Sequence, residues 1–494
     1  MRKIYILIIL ISAALSTRAQ EKKAEWISTT QKEHWTAEEP VTFSAAKTES
    51  DVEIVTDSPL QIIQGFGACF NELGWTSLSL LNKNDRESIF RELFAPGYGA
   101  SFSICRMPLG ANDFSLKWYS YDETDGDFEM KDFTIANDLN TLVPFIKSAL
   151  RYNPNLKMWA SPWSPPQWMK KNKRYAAAMV PSEAQIKEYA DKGFKMDGFD
   201  FSNVENGVTA DQVGHEGSDL FILDPAYFNA YTLYFSKFID AYQKQGIKIG
   251  MVMPQNEFNS AQVFPSCTWT ATGLSRFVSY LGPAMQKKGV EVFFGTVERA
   301  NEKLVDTLLT SPESSRYISG IGFQWAGKGA ISGIHKRYPN LTLYQSEQEC
   351  GDGKNDWSFC KYTWTLMKHY FTSGANAYMY WNISLKQGGV SRWGWKQNSL
   401  VTVDTATRKF MLNYEYYLLK HLSHYVKPGA QLLTTRGTLN DLLAFKNKDN
   451  SIIIVVQNDK DTDKKIHIKI NGKMIEPTLK ADSFNTFVVN FVKI

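Results

Sequence analysis

The chain has 494 residues, 43% of them hydrophobic and 14% aromatic, with 30 Phe, 23 Tyr and 14 Trp. That is enough for one large domain with a sizeable core plus a smaller module. The net charge of +4 includes Arg2, Lys3 and Arg18 of a leader, so the remainder is close to neutral and nucleic acid or an anionic membrane is not expected as a partner.

Residues 1–19 read as a signal peptide: Arg2 and Lys3, an apolar run Ile4 to Leu15, then small residues around a cut near Ala19. No Cys stands at the cut to carry a lipid. No later stretch is long and apolar enough to span a bilayer, so the expected location is secreted or periplasmic and no integral membrane segment is expected. Residues 20–61 contain strand-like runs, notably Val41 onward.

From residue 62 to 404, strands alternate with helices. The candidate strands are Gly65 to Phe70, Ser101 to Arg106, Lys157 to Ser161, Lys248 to Pro254, Val290 to Thr296, Ile318 to Gln324, Thr342 to Glu347 and Ala377 to Asn382. Helix-period segments such as Leu139 to Arg151 and Tyr227 to Gln245 lie between them, the second ending at Gly246. Eight strands apolar on both faces, with no dinucleotide fingerprint, predict an α/β fold: a (β/α)8 TIM barrel. The long polar stretch Ala176 to Leu220 reads as an insertion on the active face.

Residues 405–494 change texture. Ile452 to Val456 is a β-branched run, and Ile466, Ile468 and Ile470 alternate with polar residues before the hairpin signal Asn471-Gly472. Both termini are expected to build one accessory β-sandwich.

In a barrel, reactive groups stand at the C-terminal ends of strands. Glu257 follows the fourth strand and Glu347 ends the seventh, three βα units apart, so they face each other across the mouth. Two carboxylates held about 5 to 5.5 Å apart suit double displacement at a sugar anomeric carbon. Glu349, two residues on, rivals Glu347 because alternation puts it on the same face. Trp159, Trp163, Trp168, Trp325, Trp381, Trp393 and Trp395 stand at or just past strand ends, and about half are expected to touch a sugar ring.

Other chemistries find little support. His421 and His424 read as surface residues rather than metal ligands, and no metal or other cofactor is expected. Gly65-Phe66-Gly67 is a turn, not a nucleotide site. The five Cys read as buried free thiols, with a Cys350–Cys360 bridge left open.

Several of these segments resemble glycoside hydrolase family 30, which includes glucosylceramidase and β-1,6-glucanase. They are Gln64-Gly-Phe-Gly-Ala-Cys-Phe70, Phe102 to Ser115, Trp159 to Met169, Gln255-Asn-Glu257 and Ser346-Glu347. The resemblance implies Glu257 as acid/base, Glu347 as nucleophile and Asn256 on the sugar 2-hydroxyl. It places Asp113 and Trp163 on distant hydroxyls, Trp381 as the floor of that subsite, and Arg106 under the nucleophile, favouring its ionised form. Opposite pressures on the two glutamates are expected, Glu257 held protonated and Glu347 ionised.

Asp113 and Trp163 favour a glucose unit, in an oligo- or polysaccharide or a glycolipid. A galactan, xylan or fucoside substrate, or a non-catalytic carbohydrate-binding protein, are the alternatives. Ala326 departs from the family's Tyr beside Trp325 and removes one hydrogen bond to the nucleophile. The oligomeric state is not predicted.

Overall fold

The computed structural model describes residues 23–46, 49–192, 200–201, 204 and 206–490. The signal-peptide expectation, and part of the Ala176 to Leu220 insertion, lie outside them. Eight parallel strands form the barrel: Gly65–Cys69, Ile104–Pro108, Lys157–Ser161, Ile249–Val252, Glu291–Val297, Ile318–Gln324, Thr342–Glu347 and Ala377–Lys386. Each pairs with the next, and the eighth closes the ring on the first through Ala377 opposite Gly65.

Strands buried on both faces need apolar side chains both ways. Ile104, Trp159, Met251, Met253, Phe293, Tyr344, Ala377 and Met379 fill the interior as one cluster. The intervening residues join the larger core under the helices. Gly67 belongs to the first strand and is not a turn: a Cβ there would lie 1.6 Å from the Ile104 carbonyl oxygen. Its neighbour strand approaches too closely for any side chain.

Helix boundaries follow local chemistry. Pro225–Lys244 begins where Asp224 accepts a hydrogen bond from the Ala226 N–H, with Pro225 in the first turn, where its missing N–H costs nothing. Gly246 then takes φ +76°. The helix predicted from Leu139 starts at Leu142, because Asp138–Asn140 forms a separate 3-10 turn. No helix among the described residues is long and apolar enough to cross a membrane.

The accessory sheet has ten strands among the described residues and takes them from both ends of the chain. Lys23–Thr30 pairs antiparallel with Ser483–Val489, and Val52–Ile62 pairs with Gln431–Gly437. The β-branched run alternates cleanly: Ile452, Ile454 and Val456 enter the sandwich core, while Ile453 and Val455 join the barrel's core. This explains why the run is apolar throughout, since both faces are buried. Asn471 and Gly472, at φ +48° and +72°, turn the hairpin between Ile468–Ile470 and Lys473–Ile475.

His421 is not a surface residue. It is 0% exposed in the helix Tyr414–Ser423, between Thr29 at 2.9 Å and Thr486 at 2.8 Å. Burial pushes its imidazole down to about 3, so it is neutral. The five Cys are free and buried, with no Cys350–Cys360 bridge.

Candidate active site

The fourth strand ends at Val252, and a short run carries the chain to Asn256 and Glu257. Glu257 takes φ +44°, a left-handed conformation that a residue with a Cβ adopts only when its surroundings impose it. Here its N–H donates to Thr296 Oγ1 at 2.8 Å, tying it to the fifth strand. Trp325, at φ +47°, makes a similar bend after the sixth strand. Both lie at the C-terminal rim of the barrel.

The rim encloses a pocket of about 530 Å³, lined by Asp113, Trp163, Asn256, Glu257, Trp325 and Glu347 among others. That is the size range of small-ligand sites. Glu257 and Glu347 meet there through Gln324, the last residue of the sixth strand. Its Nε2 lies 3.2 Å from Glu257 Oε1, 3.3 Å from Glu347 Oε2 and 3.2 Å from Asn256 Oδ1. The facing oxygens of the two glutamates are therefore no further apart than the first two distances laid end to end.

Arg106 is wholly buried beneath Glu347. Its Nη1 donates to Glu347 Oε2 at 2.6 Å, its Nη2 to Asn256 Oδ1 at 2.7 Å and to Ser161 Oγ at 2.8 Å. The guanidinium also lies 4.5 to 5.6 Å from the ring centres of Trp163, Trp159 and Trp381. An aromatic cage with these three acceptors satisfies a charge that burial alone would make costly.

Opposite pressures on the two glutamates are not what the site provides. Burial pushes Glu347 up to about 7 and Glu257 above its ordinary value. Arg106 opposes the rise at Glu347, while the charge of Glu257 adds to it. Two such close carboxyls hold one proton between them more readily than none. The partners differ: Glu347 has the cation, whereas Glu257 is met by the amides of Gln262 and Gln324.

Glu349 is not part of this arrangement. The strand ends at Glu347, so alternation stops, and Glu349 is held outside the pocket by Lys328 at 2.6 Å and Tyr362 at 2.7 Å. Asp113 is buried with Oδ1 lacking a hydrogen-bond partner among the described residues, and burial pushes its carboxyl well up. An orphan acceptor lining a pocket suits a ligand hydroxyl. Trp381 lies behind Trp163, ring centres 5.4 Å apart, so Trp163 forms the wall and Trp381 backs it. Trp325, Trp393 and Trp395 line the pocket. Trp159 fills the barrel interior and Trp168 packs on Phe128 and Tyr227.

Sequence reasoning passed over Gln324, Ser161, Thr296, Gln262, Glu298 and Arg299. Gln324 offsets the missing family Tyr at Ala326, since its amide supplies a hydrogen bond to Glu347.

The barrel matches the model of the glycosyl hydrolase family 30 TIM-barrel domain over residues 63–192 and 180–426, and the glycosyl hydrolase family 30 beta sandwich domain over 433–487. Lysosomal acid glucosylceramidase of Mus musculus is 25% identical over 82% of this chain and 77% of its own. The endo-1,6-beta-D-glucanase of Neurospora crassa is 22% identical over 81% and 79%. Among solved structures, SrfJ from Salmonella typhimurium superposes with a TM-score of 0.80 at 21% identity, over 95% of this chain and 100% of that one. A carboxylate pair at the rim of a matching barrel, with the matching sandwich beside it, leaves one conclusion: the chain belongs to glycosyl hydrolase family 30.

Proposed function

We propose that this protein is an exported, retaining β-glycosidase that cleaves β-linked glucose from glycans by double displacement. The observation that carries the reading is Gln324 Nε2 touching both Glu257 and Glu347. That closeness is compatible with the short carboxylate separation of retaining enzymes, about 5 to 5.5 Å.

In the first step Glu257 gives its proton to the glycosidic oxygen as Glu347 Oε attacks the anomeric carbon. The bond to the leaving group breaks and a glycosyl ester of Glu347 forms. Glu257, now a carboxylate, takes a proton from water, and the resulting attack releases the sugar and restores Glu347. Arg106 keeps Glu347 ionised for the first step and holds Asn256 toward the 2-hydroxyl. Asp113 and Trp163 hold the far hydroxyls of a glucose unit. Relatives named as a glucosylceramidase and a β-1,6-glucanase support glucose as the sugar. Export rests on the leader at residues 1–19.

Incubation with 2-deoxy-2-fluoro-β-glucosyl fluoride, followed by peptide mass spectrometry, tests the mechanism. A stable adduct on the peptide containing Glu347, with the modification mapped to that residue, is expected. An adduct on Glu349, or turnover with inversion at the anomeric carbon, overturns it.

A further inference from the structure

The pocket holds a fourth buried carboxyl beside Glu257, Glu347 and Asp113. The fifth strand ends at Val297, and Glu298 follows it in the pocket wall, 1% exposed. Its Oε1 accepts from the Asn259 N–H at 2.8 Å and from Ser260 Oγ at 3.0 Å. These are the second and third residues after Glu257. Its Oε2 is shielded from solvent and has no hydrogen-bond partner among the described residues. Arg299 does not supply one: its Nη1 is 3.8 Å from Oε1, and its Nε is committed to Glu216 at 2.9 Å. An oxygen left so is costly unless something arrives to bond it.

Its position says what would arrive. Asp113 and Trp163 come from the second and third strands, on the glucose side. Glu298 holds the turn that follows Glu257, and it lines the same pocket as Gln262, Arg299 and Trp325. An acid that protonates the leaving oxygen sits beside the leaving group, so this is the wall that group meets. Polar and charged groups (Gln262, Glu298, Arg299) stand in it among the rings of Phe264, Trp325, Trp393 and Trp395, a mixture that offers a sugar both hydrogen bonds and stacking faces. Burial and the charge of Glu257 push Glu298 up to about 8. The proton of the neutral acid then resides on Oε2, because Oε1 is already an acceptor twice.

We propose that Glu298 is a specificity-determining residue, its Oε2 donating a hydrogen bond to a hydroxyl of the leaving-group sugar, so that the enzyme prefers a second sugar to an apolar alcohol there. The proposal rests on the retaining β-glucosidase reading above.

The test compares kcat/KM for glucosyl disaccharides (β-1,6, β-1,4 and β-1,3) with that for hexyl β-glucoside. Both kinds of leaving alcohol are weakly acidic and need the proton of Glu257, but only the sugars offer hydroxyls to Glu298. In the unmodified enzyme at least one disaccharide is expected to be the better substrate. Glu298→Ala is expected to lower the disaccharide-to-hexyl ratio about tenfold or more. Glu298→Met, which fills the same volume without a donor, gives the same readout should the smaller variant not fold. Glu298→Gln keeps an acceptor and a donor, and holds the ratio within about threefold.

Equal losses on both substrates would mean that Glu298 only braces the turn after Glu257, and would overturn the proposal. So would hexyl β-glucoside turnover with none of the disaccharides. Failure of the unmodified enzyme on every β-glucoside would instead overturn the functional reading, and this inference with it.

Discussion

Arg106 Nη1 and Glu347 Oε2 form an ion pair 2.6 Å long with neither side chain meaningfully exposed to water. Removing one partner of such a pair leaves the other as an uncompensated buried charge, at a cost of about 3–5 kcal/mol. Arg106→Ala is expected to lower the unfolding free energy by that order and to reduce kcat at least about a hundredfold. Glu347→Gln, which keeps an acceptor for the guanidinium, should abolish turnover while costing less stability. Urea denaturation and single-substrate kinetics on both variants check this. An Arg106→Ala protein as stable and as active as the parent would contradict it.

Gln324 spends two N–H hydrogens on three acceptors, so at least one of its contacts is shared. Gln324→Ala removes the amide that lies between the glutamates and brings their charges into less screened contact. With one ionised, the other becomes harder to ionise. The basic limb of the kcat/KM profile, set by loss of the Glu257 proton, should therefore move to higher pH, with kcat/KM at the optimum down about ten- to a hundredfold. A profile that keeps its limbs and only loses height would show that Gln324 contributes to substrate binding alone.

Stability should depend on pH through groups that do not line the pocket as well. Glu415 is fully buried in the helix Tyr414–Ser423, where burial pushes it up to about 7 against 4.5 for the ordinary carboxyl. Its contribution is fully present below about pH 4.5, where folded and unfolded chains both hold the proton. It is lost as pH rises toward 7, because the unfolded chain ionises first. His421, pushed down to about 3, acts in the other direction, removing stability as pH falls below 6.5. Glu415→Gln should flatten the decline between pH 4.5 and 7 by an amount on the order of 2 kcal/mol. Denaturation midpoints of parent and variant across that range measure it.

Much of this architecture was legible because barrel strands carry apolar residues on both faces, and three of the eight candidate ranges match their strands end to end. Glu257 and Glu347 were legible for a related reason: a carboxylate at a strand's C-terminal end has few uses except at the rim. The same rule would have found Gln324, which ends the sixth strand, and Glu298, which directly follows the fifth. Amides and a carboxyl beside an Arg read as ordinary loop residues, and only the closed ring shows that residues 67 apart share an atom's reach. His421 was misread for want of a layer: with His424 it looks like a surface residue until the accessory sheet is laid over that helix. The pressures on the two glutamates were misjudged because Arg106 was counted and burial was not.

The accessory sheet also constrains the order in which the molecule can be completed. Lys23–Thr30 lies between Thr36–Thr42 and Ser483–Val489, so one of its two edges waits for a segment made some 450 residues later. Val52–Ile62 waits likewise for Gln431–Gly437 and Ile468–Ile470. During synthesis the N-terminal strands present open edges until those segments are made, and such edges are ready templates for pairing with other chains. A ribosome-bound or truncated chain that stops before Ser483 therefore carries an unprotected strand, and its solubility depends on whatever shelters that strand until the last one arrives.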